Sequence, residues 1–161
     1  VLEHHFSKTG QRGELKRVRQ QLDDFEKARA AAEKERTEVR RSDSFVSHEL
    51  TADELKQTQS ALLKQEHCLV AWLVKKELRH FPEERLFVVC VDSNTRAASS
   101  LRADRNDRMI TSLLLQLELP GRPFIVNPTG EFKAVATRMM KTADWKIFDR
   151  SEHASQSLPA D

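Results

Sequence analysis

The sequence predicts an α+β or α/β protein in which a long helical, coiled-coil-like arm (residues 1–50) leads into a small domain (residues 51–150). A polar tail (residues 151–161), expected to be disordered, follows. Three observations carry this reading. Every glycine and proline lies outside Glu14–Phe81, so that stretch contains no backbone breaker. Within it Leu15, Val18, Leu22 and Phe25 recur at alternating steps of three and four, the a/d spacing of a coiled coil. Farther on, the β-branched apolar run Leu86–Val91 and the shorter Phe124–Asn127 sit between polar or turn-forming segments, as buried strands do.

Residues 1–12 and Gly13 read as a loose lead-in to the arm helix. Alanines 28, 30, 31 and 32, among many Glu, Lys and Arg, favour helix without help from a partner. Continuing the heptad register places Arg29, Ala32, Arg36, Val39 and Asp43 on the seam, so two good heptads precede a weak stretch. Ser42–Leu50 is rich in cap and turn residues, and Thr51 with Glu54 forms a T-x-x-E capping box. A second helix is therefore expected from Ala52 to about His80, stopping at Pro82. The alternative is one uninterrupted helix about 100 Å long at 1.5 Å per residue. At helical phase Leu62, Leu63, Leu69, Val70, Leu73, Val74 and Phe81 share one broad face with Glu66 and Glu77, a width suited to packing on a sheet. After the strand Leu86–Val91, helices are expected at Thr95–Ala103 and Asp107–Glu118, the second ended by Pro120-Gly121. Pro128-Thr129-Gly130-Glu131 then predicts a turn, with Phe132–Thr137 returning as the second strand of a hairpin. Thr142 is expected to cap a last short segment with Trp145, Ile147 and Phe148. The domain order is thus helix, strand, helix, β-hairpin, helix.

Charge is abundant but balanced: 27 basic and 25 acidic residues give a net charge of +2. The nearest approach to a basic segment is Thr95–Lys141, where Arg96, Arg102, Arg105, Arg108, Arg122 and Lys133 are candidate partner- or anion-binding residues. Cys68 lies in an apparent helical pattern and Cys90 in a strand, where free thiols act as small hydrophobes. Two such cysteines suggest a reducing compartment, and no apolar run is long enough for a membrane span. The expected location is intracellular, cytoplasmic or nuclear.

No motif declares chemistry. His4, His5, His48, His67, His80 and His153 are scattered, and four separated glycines make no phosphate loop, so no metal or cofactor is expected. Asp92-Ser93-Asn94-Thr95 resembles the nucleophile loop of haloacid-dehalogenase-like phosphatases, whose pattern is D-x-D-x-T. Asn94 stands where that pattern has its second aspartate and Thr95 comes one position early, which leaves helix capping by Asp92 or Ser93. Leu119–Asn127 resembles the cis-proline strand of thioredoxin-like domains, and the element order suits that fold. There is no C-x-x-C, so the resemblance implies a redox-dead relative.

The expected function is a non-enzymatic protein-interaction scaffold. Its arm forms a homodimer through Leu15, Val18, Leu22 and Phe25, and its head docks another protein. Two alternatives stand beside it: a nucleic-acid-binding head using the arginines and lysine named above, and an enzyme with its mouth at Asp92, Asn94 and Arg122.

Overall fold

The computed structural model describes residues 12–93 and 99–152, with residues 12 and 99–103 as backbone only. The architecture is α+β, a long N-terminal helix followed by a small mixed sheet with helices. By contacts the chain forms two units. One holds the N-terminal helix with Arg79–Phe81, and the other comprises Val39–Leu78 and the chain from Pro82 onward.

Helix α1 spans Arg12–Thr37, with Glu14 in its first turn and Lys34 and Arg36 in its last, the polarity the helix dipole favours. Near its end, successive residues grip the Arg79–Phe81 segment in opposite senses. The Glu35 carboxylate accepts from the amides of Arg79 (2.9 Å) and His80 (3.1 Å). Nη2 of Arg36 donates to the carbonyl oxygens of His80 and Phe81, 3.0 Å each. Phe81 sits at φ 52°, a costly conformation for a large side chain. Arg36 on its carbonyl and Phe25 edge-on to its ring, 6.3 Å between centroids, hold it there.

In the second unit, β1 (Phe45–Val46), α2 (Ala52–Lys64), β2 (Cys68–Lys76), β3 (Leu86–Ser93), α3 (Ser99–Gln116), β4 (Arg122–Val126), α4 (Lys133–Met140) and β5 (Lys146–Asp149) follow in order. Single 3-10 turns at Gly130–Phe132 and Ala143–Trp145 lead into α4 and β5. Strand β3 is central: it pairs antiparallel with β2 and parallel with β4. The other side of β2 is shared, β1 pairing with Lys75–Lys76 and β5 with Val70–Trp72, both antiparallel. Alternation along β3 sends Phe87, Val89 and Val91 to a core with α2 and α3, and Val88 and Cys90 to a core with α4. The sheet is thus covered on both faces.

The expected capping box is present: Thr51 Oγ1 accepts from the amide of Glu54, and the Glu54 carboxylate accepts from the amide of Thr51. Four expectations are corrected. The second helix ends at Lys64, and residues 68–76, Cys68 among them, form a strand. A run apolar at every position has no period, and its apparent helical face is in fact two sheet faces, Leu73 in one core and Val74 in the other. The two helices expected across 95–118 are one, Ser99–Gln116, while residues 95–98 lie outside those described. The expected hairpin strand Phe132–Thr137 is instead a 3-10 turn and helix α4, whose buried Val135, Ala136 and Met139 have helical spacing. Finally, Thr142 makes no side-chain cap, and the segment beyond it is a 3-10 turn and β5, with Ile147 and Phe148 buried. The expected disordered tail lies outside the described residues from His153 onward.

Gly121 explains the tight approach of β4 to the start of β3. A Cβ there would meet the carbonyl oxygen of Arg85 at 2.5 Å. Gly121→Ala is expected to cost about 1–3 kcal/mol, the usual range for overpacking. Urea denaturation measures it, and an unchanged midpoint would contradict the packing described.

Candidate functional site

Three places in the described structure merit a functional reading: the apolar stripe of α1, the polar cluster at the ends of β3 and β4, and a cationic groove along α4.

On α1 the four stripe residues are unequally covered. Leu15 and Val18 are half-buried, whereas Leu22 and Phe25 are 51% and 53% exposed. Phe25 also meets Phe81, a contact its spacing in sequence could not reveal because Phe81 is distant in the chain.

At the carboxyl ends of the parallel strands, where α/β proteins often bind ligands, Ser93 Oγ donates to Asn106 Oδ1 at 2.6 Å. Asn106 Nδ2 donates to Thr129 Oγ1 at 3.3 Å, and the Thr129 amide donates to Asn127 Oδ1 at 2.9 Å. Asn106 is buried, and this chain ties α3 to the loop after β4. Asp92, the residue before Ser93 on β3, is half-buried, while Asn94 lies outside the described residues. The network satisfies its own members and so reads as structural.

The cysteines offer no nucleophile. Burial, with Asp92 adding to it, pushes the thiols of Cys68 and Cys90 up to about 12. At neutral pH both stay protonated, which removes the reactive thiolate. Neither thiol is expected to react with a disulfide reagent at pH 8 until the protein unfolds; rapid labelling of the folded protein would contradict this. The sign of the linkage follows. Above about pH 9 the unfolded thiols ionise while the folded ones keep their protons, so stability falls as pH rises towards 12. Urea midpoints at pH 8 and pH 10 measure the fall, and a Cys68→Ala/Cys90→Ala variant should show less of it.

The cationic residues proposed from sequence are dispersed. Arg105 and Arg108 are exposed on α3, on one side of the sheet, and Lys133 begins α4 on the other. Arg122 opens β4 at the end away from Lys133. Arg96, and the side chain of Arg102, lie outside the description. No group of three or more metal-ligating side chains occurs among the described residues.

Among the described members of that set only Lys133 enters the groove, which has a volume of about 820 Å³. Arg41, Arg138 and Lys141 supply further cations, Thr137 a hydroxyl and Glu131 a carboxylate. Arg138 is fixed in place: Nη1 donates to the carbonyl oxygens of Arg41 (2.6 Å) and Asp43 (2.7 Å), and the guanidinium lies 4.9 Å from the centre of the Phe45 ring. These contacts hold Arg41 beside α4. The sequence signal for the groove was Lys133, Thr137 and Lys141 at steps of four, visible only once this segment is read as helix.

Comparison of the chain with protein-family models, with curated proteins and with solved structures finds no match. The resemblance to thioredoxin-like domains gains no support from the geometry: no peptide bond is cis among the described residues, and β4 leads into α4. No helix of the described residues is long and apolar enough to cross a membrane.

Proposed function

We propose that the chain is a non-enzymatic protein-interaction module whose α1 pairs with a second copy and whose sheet domain docks another protein. The observation that carries this is the exposure of Leu22 and Phe25 in heptad register with Leu15 and Val18 on an otherwise charged helix. Large apolar side chains at that spacing on an exposed helix are covered when two helices meet along a/d positions. The self-satisfied strand-end network and the protonated thiols favour a binding role over catalysis.

Light scattering at tens of micromolar tests the pairing, with a dimer expected and a monomer sinking it. Leu15→Ala/Leu22→Ala is the informative variant, because it spares the contact of Phe25 with Phe81. It should remove about 3–6 kcal/mol of burial from the dimer and give monomers whose sheet domain still melts cooperatively.

A further inference from the structure

We infer that the groove along α4 binds an acidic peptide segment in extended conformation. The inference rests on the reading of the sheet domain as a docking module and names the chemistry of what it docks.

Arg41, Lys133 and Lys141 are exposed, and no carboxylate is paired with them among the described residues. Elsewhere in this unit cations do find acids: Lys76 with Asp43 at 2.8 Å, and Lys146 with Glu152 at 2.7 Å. Cations left together around one concavity attract a multiply charged anion, because each reinforces the potential of the others.

Spacing and size point to a chain rather than a lone ion. Val135, Ala136 and Met139 face the core, so Lys133 and Thr137 with Lys141 just beyond the helix line its outer side. Each step of four along the helix covers about 6 Å. Alternate side chains of an extended peptide stand about 6.6 Å apart on one face, so acidic residues at every second position match the row. The groove has room for on the order of 25 waters at their liquid volume, far more than one phosphate fills.

The lining distinguishes a peptide from a nucleic-acid strand. Among the described residues it contains no aromatic side chain, and single-stranded nucleic acid is generally held by bases stacked on aromatic rings as well as by charge. Arg41 and Arg138 add two guanidinium groups to the lining, and the hydroxyl of Thr137 adds a donor for a carboxylate or a peptide carbonyl.

Fluorescence anisotropy on the full chain tests the inference, using a short labelled peptide of alternating glutamate and serine. Binding should weaken as salt is raised, and Lys133→Glu/Lys141→Glu should weaken it about tenfold. Lys133→Ala/Lys141→Ala should give an intermediate loss with an unchanged melting temperature, which separates charge from folding. Equal affinity in the reversed variant, or no binding by the unmodified chain, overturns the inference. So does an oligonucleotide of equal charge that binds more tightly than the peptide and is lost in the same variant. Light scattering on the same samples separates the two readings: a dimer that ignores the peptide overturns the groove alone, and a monomer that binds it overturns the helix pairing alone.

Discussion

Val89→Asp is expected to leave no folded sheet domain. Val89 is wholly buried at the middle of β3, opposite Leu73 on β2 and Ile125 on β4. Its side chain enters the core formed with Met109, Leu113 and Phe148. None of those neighbours can pair with a carboxylate, so the substitution either buries a bare charge or forces the group to stay protonated. Either outcome costs several kcal/mol, against a total stability of about 5–15 kcal/mol for domains in general. A central strand also has no way to turn the side chain outward, because a one-residue slip would send every other side chain of β3 to the wrong face. The measurement is the soluble fraction and the circular dichroism of whatever is recovered. Val89→Ala, expected to cost about 2 kcal/mol, serves as the control that should still fold. Soluble Val89→Asp protein with a cooperative melt would place β3 at an edge.

The second large effect is expected at Arg150. Its Nε donates to the carbonyl oxygen of Cys68 at 2.8 Å. Its Nη2 donates to those of Gln65 at 2.7 Å and Leu63 at 3.1 Å. One guanidinium thus closes the end of α2, the turn after it and the first residue of β2, and it lies over Phe148 as well. Arg150→Ala should cost about 3 kcal/mol, since hydrogen bonds from a charged donor contribute about 1.5–3 kcal/mol each and water will satisfy part of what is released. Arg150→Lys should recover only a fraction, because an ammonium cannot reproduce the planar fork. Among the described residues, ending the chain after Arg150 removes the exposed Ser151 and Glu152, and it should shift stability by less than about 0.5 kcal/mol. A melting curve that does not separate Arg150→Ala from this truncation would contradict the clamp.

Which elements the sequence disclosed follows from how each is buried. The capping box at Thr51 and Glu54 is local chemistry and was legible. So were β3 and β4, bounded by charged or turn-forming residues. Strand β2 was not, because burial on both faces erased the alternation that marks a strand, and the preceding helix offered a phase that its residues happened to continue. Helix α4 was hidden by its brevity and by Val135 and Thr137, which favour strands intrinsically; packing on the sheet decided its conformation. With α4 misread, the row Lys133, Thr137 and Lys141 could not be seen as one face. Arg41 could not have been joined to it at all, since what brings it there is contact with Arg138 across more than ninety positions.

The shared outer side of β2 also bears on how the chain is made. Val70–Trp72 can pair with β5 only after Lys146–Asp149 has been synthesised, whereas the neighbouring Lys75–Lys76 can pair with β1 as soon as both exist. A nascent chain therefore carries a half-closed sheet from the completion of β2 until β5 is made, with backbone donors and acceptors of an apolar strand open to any passing strand. Ribosome-bound chains halted before Lys146 are expected to be cut by protease within β2 and to recruit chaperones. Chains that include Asp149 and Arg150 should resist both, which makes β5 the strand whose synthesis closes the sheet.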